Sequence, residues 1–415
     1  MLNSTEKSNT IFIWCLFFVT PALSLFVSLK NFRSRWSKNI IWAFTVFYGF
    51  TFTFSVDNRG SDINRYISWF YSMRNSGMTF SEMTSLFYTD EDYADILQPV
   101  LTYFVGQLTD NYAYLIAAFG LVYGYFFSRN MWYVIERLKN RLDTKVLFLL
   151  IVFSLVAPIW NLNGFRFWTA THVFLFGLLP LLHEKKKLYI IPILLSPFVH
   201  FSFVLPVLIT IGYFFIGNRP AVYYYFFLAS IFITEINIQA LSSLINNYMP
   251  SIFSARTAAY INEDTVEKIA NSGPDTRNLY AVFYLKFLTW SVMAYVIYMY
   301  INRKVIENRP ELKRMLAFTL FFFGVANIFS MVPSGSRFVI VADLMALALI
   351  TQYADIAPKV RQLNLLFKAT LPLLLLYIVV TIRNGFASIG VVTLAGNPVL
   401  ALFVDSEVAL IDLFK

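Results

Sequence analysis

Cysteine occurs once in the 415-residue chain, at Cys15, within an apolar run. One thiol can form neither an intrachain disulfide nor a cysteine metal site, so cysteine usage says nothing about redox compartment. Histidine occurs three times, and there is no HExxH, GxxxxGK[ST], GxSxG or Rossmann glycine pattern. Those absences argue against zinc-peptidase, P-loop, serine-hydrolase and dinucleotide-dependent chemistry. Charged residues make up only 14% of the chain, where soluble domains carry about 25%. The flank MLNSTEKSNT lacks a basic n-region and no small-residue cleavage site follows it. The first apolar run is therefore expected to remain as a span. Internal repeats, low-complexity tracts and soluble domains are also missing.

What the chain does have is apolar surface. Hydrophobic residues reach 58%, with 44 Phe and 25 Tyr. A water-soluble core could not enclose this much, and the long uncharged runs do not alternate as barrel strands do. The expected fold is an all-α polytopic transmembrane bundle of about 11–13 spans, since about 20 apolar residues cross a bilayer core. Candidate spans fall near 10–29, 39–56, 111–128, 145–159, 167–182, 221–241, 280–300, 314–332, 338–353 and 366–383. The run 188–216, broken by Pro192, Pro197 and Pro206, is either one tilted helix or two short ones turning near His200. The whole of 1–415 reads as a single membrane domain.

The +9 net charge is distributed in short basic loops, such as Lys185 to Lys187 and Arg303 to Lys313. Alternation with spans excludes a nucleic-acid stripe, and the positive-inside rule makes these loops cytoplasmic. Two extracytoplasmic loops follow, about 57–97 and 242–279, each expected to carry short helices. The cytoplasmic side then holds ten Arg and eleven Lys, whereas the outer side holds eight Arg and only three Lys before the terminus.

Outer arginine beyond what topology needs points to an anion. Its planar fork grips phosphate or carboxylate bidentately and stays charged when partly buried. The outer set is Arg59, Arg65, Arg74, Arg166, Arg256, Arg277, Arg337 and Arg383. Of these Arg166, Arg337 and Arg383 sit against apolar spans, where ionisable groups mark function. The alternative for any one of them is snorkelling to lipid headgroups or pairing with an acid. Asp62 shares a helical face with Tyr66 and is either a base toward a sugar hydroxyl or a helix cap. His200 is either a satisfied core histidine or a general base at the apex of a hairpin. The acidic run TDEDYAD at 89–95 has no ligand spacing and is expected as a solvated loop, with no metal. Aromatics crowd the first outer loop, as belt residues or as platforms for sugar rings.

RGSDINRY resembles the G-x-D-x-x-x-Y element of the EpsG-like polysaccharide polymerases, which group with the Wzy O-antigen polymerases. NGFRFWTATHVFLFG resembles that family's arginine-bearing helix start. KKKLYIIPILLSPFVHFSFVLPVLI resembles its basic turn and histidine-bearing apolar segment, so the match runs over about 57–216. Where the family commonly has Arg-Gln, this chain has Arg166-Phe167. The resemblance implies a multi-pass enzyme of the bacterial inner membrane, facing the periplasm or cell exterior. It would join undecaprenyl-pyrophosphate-linked oligosaccharide repeats as donor and acceptor, without cofactor or metal. Membrane lipids, a flippase and a chain-length regulator are the partners so implied. Asp62 and His200 are then the candidate catalytic pair. Arg59, Arg65, Tyr66, Arg166, Arg256, Arg277, Arg337 and Arg383 are the candidate pyrophosphate- or glycan-binding set. Competing readings are another lipid-linked sugar transferase, an O-antigen ligase, and a flippase or other transporter.

Overall fold

A computed structural model of the protein describes residues 4–53, 62–87, 95–140, 143–233, 279–404 and 408–414. Among these residues the secondary structure is helical, with two isolated β-bridges, Phe52 to Ile389 and Gly390 to Ala409. The first half holds α1 (Ser4–Val19), α2 (Pro21–Lys30), α3 (Ser37–Phe50), α4 (Asp62–Asn75), α5 (Phe80–Ser85) and α6 (Leu97–Leu108). It continues with α7 (Tyr112–Ile135), α8 (Thr144–Val156), α9 (Phe165–Glu184), α10 (Ile190–Val199), α11 (Val204–Ile216) and α12 (Pro220–Ile231). The second half holds α13 (Leu279–Ile301), α14 (Pro310–Phe329), α15 (Ser336–Ile356), α16 (Arg361–Gly385) and α17 (Val391–Ala395).

Five segments are long and apolar enough to cross a membrane: Thr144–Glu184, Phe283–Ile301, Pro310–Phe329, Ser336–Ile356 and Arg361–Gly385. Burial separates their roles. In α15, 89% of the most apolar stretch is buried inside the molecule, against 28% in α16. Helix α15 is thus the central post, packed by α8, α13 and α14, and α16 stands at the rim facing lipid. A second core gathers α1, α3, α4 and α7. Glycines bring α3 and α7 into backbone contact. A Cβ on Gly49 would stand 2.5 Å from the Ile116 carbonyl oxygen, and one on Gly120 would stand 2.5 Å from that of Thr45. Small residues are the usual adhesive where lipid removes the hydrophobic drive for helices to associate.

The apolar run 188–216 is two short helices, α10 and α11, meeting at His200. The segment 57–97, expected as the first outer loop, carries helices α4 and α5 among its described residues; the second expected loop, 242–279, lies outside the described residues apart from the start of α13 at Leu279.

Helix length shapes the face of the bundle opposite the basic ends. Helices α3 and α8, with 14 and 13 residues, run about 20 Å from their basic ends at 1.5 Å per residue. That is short of a hydrocarbon core of about 30 Å. Helices α9, α15 and α16, with 20, 21 and 25 residues, are long enough to traverse it. Short helices floor a depression, and long helices wall it.

Candidate functional site

The floor begins where α8 stops. Pro158 holds Ala157 extended (φ −132°, ψ 72°) and so ends the helix at Val156. The freed carbonyls find donors from neighbouring helices. Tyr123 Oη donates to the Ala157 and Pro158 oxygens at 2.7 and 2.8 Å, and His172 Nε2 lies 3.2 Å from the Ala157 oxygen. His172 is therefore a structural histidine of the core.

The turn Ile159–Gly164 then crosses beneath α4. Asn163 Oδ1 accepts the Ile63 backbone N–H at 3.3 Å, so the floor itself caps the start of α4 and fixes Asp62 above it. Two glycines seat two indoles. A Cβ on Gly164 would lie 3.0 Å from the Trp168 ring and 3.9 Å from Asp62 Oδ2, and one on Gly385 would lie 2.8 Å from the Trp160 ring. The fourth side is the chain beyond α16, clamped on the end of α3. Thr53 N donates to the Ser388 oxygen at 3.3 Å, and Tyr48 Oη to Ser388 Oγ at 2.8 Å.

These elements enclose a cavity of about 430 Å³, whose lining includes Asp62, Trp160, Asn161, Asn163, Trp168, Arg337, Asn384 and Ser388. The volume lies within the range of about 300–1,000 Å³ for small-molecule sites. Arg337 is presented by a tight turn. Ser334 adopts φ 63°, and a Cβ on Gly335 would fall 1.8 Å from the Phe329 oxygen. The exposed guanidinium then lies over Phe167, 5.6 Å from the ring centroid. Among the described residues no carboxylate lies within ion-pair distance of Arg337. Phe167 is thus the face beneath this arginine.

Arg166 is different. Its Nη1 pairs with Asp95 Oδ2 at 3.1 Å, its Nε donates to Tyr66 Oη at 3.2 Å, and it is absent from the cavity lining. Asp95 also accepts the Phe201 backbone N–H at 2.7 Å and is 4% exposed. The expectation of a solvated loop at 89–95 fails at this residue. Asp95 is a buried ion-pair partner that fastens α6 to the α10–α11 turn, and residues 89–94 lie outside the described residues. Removing it should strand Arg166. Asp95→Ala is expected to lower stability on the order of 2–3 kcal/mol, moderated because Arg166 stays one-third accessible. Thermal unfolding in detergent reads this, and Asp95→Ala with Arg166→Ala together should cost less than the two single losses added.

The remaining expected residues separate. Asp62 lines the cavity and pairs with Arg65, which is largely exposed. Tyr66 is buried against Phe119 beneath Arg166. His200 stands behind Phe167, edge to face at 5.5 Å, and does not line the cavity. Its Nδ1 accepts the Ser202 backbone N–H at 3.2 Å. Burial pushes the imidazole down to about 4, with Asp95 opposing and Arg166 and Arg337 adding, so it is neutral at pH 7. Arg383 is exposed at the end of α16, where its neighbour Asn384 reaches the cavity. Arg59, Arg256 and Arg277 lie outside the described residues. Trp160, Asn161, Asn163, Trp168 and Asn384 were not singled out from sequence. Their only signal is polar and indole side chains near the ends of apolar spans.

Comparison with known families matches the chain to the family described as EpsG family, over residues 38–392. That span extends well beyond the 57–216 where the motifs are readable. No curated protein and no solved structure matches the chain.

Proposed function

Because the chain belongs to the EpsG family, membrane proteins tied to polysaccharide biosynthesis and to glycosyltransferase-like polymerase function, we propose that it is a polysaccharide repeat-unit polymerase. It joins undecaprenyl-pyrophosphate-linked oligosaccharides at the outer face of the bacterial inner membrane.

The observation that carries this reading is Arg337. An arginine without an acidic partner among the described residues, in a cavity shared with one carboxylate, two indoles and several amides, is arranged for an anion attached to a sugar. A fixed guanidinium stabilises charge that grows in the transition state more than charge already present. In the transfer, an acceptor hydroxyl oxygen bonds to the donor's anomeric carbon. The bond from that carbon to the pyrophosphate oxygen breaks, and its electron pair leaves on the polyprenyl pyrophosphate beside Arg337. The hydroxyl proton passes to the Asp62 carboxylate and then to water. Asp62 Oδ2 supports this role because it lies by Gly164, on the cavity side of the α4 terminus. Arg166, held by Asp95, keeps Tyr66 and the α10–α11 turn in register behind the site.

The test is a strain deleted for the gene, with its surface polysaccharide resolved on a gel. A single repeat capping the lipid anchor is expected. Long chains persisting in the deletion strain would remove the polymerase reading.

A further inference from the structure

Resting on the polymerase reading, we infer that the wall formed by Trp168, Trp160 and Asn161 is the acceptor subsite, and that the sugar ring it takes carries no charge.

The wall is built for a ligand that is both flat-faced and hydroxylated. Each indole occupies a seat that only glycine leaves open, Gly164 under Trp168 and Gly385 under Trp160. Enclosed tryptophans normally give their N–H to a partner. Trp42 and Trp132 do so, at Leu121 and Glu136. The indole N–H groups of Trp160 and Trp168, and the side-chain amide of Asn161, have no hydrogen-bond partner among the described residues, yet all three line the cavity. Three donor-bearing side chains lining one cavity, two of them also offering apolar ring faces, match a sugar, whose hydroxyls lie around its rim and whose C–H groups lie on its faces.

The order of groups along the wall assigns the ring to the acceptor. Arg337 lies over Phe167, whose ring meets Trp168 edge to face at 5.1 Å, and Trp168 and Asp62 Oδ2 converge on the same point above Gly164. A ring stacked on Trp168 therefore sits between the arginine that takes the leaving pyrophosphate and the carboxylate that takes the proton. That is where the attacking hydroxyl must be. Among the described lining residues Arg337 is the sole cation and Asp62 the sole acid. A uronic acid on Trp168 would bring its carboxylate toward Asp62 while the cation is occupied by pyrophosphate. Arg65, outside the lining, offsets part of the Asp62 charge, and the like-charge repulsion that remains disfavours a uronic acid, so a neutral hexose, deoxyhexose or N-acetylhexosamine is selected.

The experiment uses the full-length protein in nanodiscs. Mild acid releases the single repeat from its carrier in the deletion strain. That free oligosaccharide has no pyrophosphate, so it can accept but never donate. With the lipid-linked repeat held fixed as donor, Trp168→Ala and Asn161→Ala should each raise the free acceptor's half-saturating concentration by about tenfold, the loss of one good contact. Half-saturation by the donor should hardly move, and Trp168→Phe, which keeps a ring face, should retain most of the acceptor affinity. Linkage analysis of the polymer should identify a neutral sugar as the residue bearing the new bond. Unchanged acceptor saturation in both alanine variants, a loss confined to the donor, or a uronic acid at the linkage would overturn the assignment. Failure of the polymerase reading looks different: wild-type protein would then extend neither acceptor.

Discussion

Arg337→Ala is expected to slow chain extension by about 10²- to 10³-fold, the usual loss when one preorganised donor to developing negative charge is removed. Little stability should go with it. The guanidinium is exposed, and its packing contact among the described residues is the Phe167 face, worth about 0.5–1 kcal/mol at an exposed site. Arg337→Lys should fall between wild type and alanine, because it keeps the charge and loses the fork that meets two phosphate oxygens. Rates in nanodiscs, read beside thermal unfolding of the same samples, separate the two effects. An alanine variant that is fully active would mean that the leaving pyrophosphate is met elsewhere.

Asp62→Asn is expected to cost about 10²- to 10⁴-fold in rate, the range for loss of a positioned general base. The variant keeps the shape of the side chain but removes its charge, and with it both the ability to take a proton and the ion pair to Arg65. Asp62 also pairs with Arg65, so a control is needed. Arg65→Ala breaks the same pair without touching the base, and with Arg65 66% exposed its effect on stability should be about 0–1 kcal/mol. Activity that survives Arg65→Ala and fails in Asp62→Asn identifies proton transfer as the lost step. Equal losses in both would make Asp62 an orienting partner of Arg65 instead.

The fold was largely legible because bilayer physics is severe. Length and polarity alone mark helices, and of the two arrangements the prolines of 188–216 left open, one tilted helix or two short ones, the structure has the second. The arginines expected on the outer side were not legible as individuals. Sequence does not tell Arg166, paired with Asp95, from Arg337, which has no acidic partner among the described residues. That distinction depends on a contact between residues far apart in the chain. Asp95 was misread because an acidic run looks solvated when only its neighbours in sequence are considered. Trp160 and Trp168 escaped because tryptophan near a span end reads as an interfacial anchor. Only Gly164 and Gly385, one of them more than 200 positions away, reveal that the indoles are seated in a cavity. His200 carried the chemical promise of an imidazole, but tertiary packing sets it behind Phe167.

The most direct test is to supply purified protein in nanodiscs with its lipid-linked repeat unit and measure both products. The expected result is a ladder of extended oligosaccharides, with one polyprenyl pyrophosphate released for each new linkage, and both products lost together in Arg337→Ala. Repeat units that stay single, or sugar transfer without release of the pyrophosphate carrier, would contradict it.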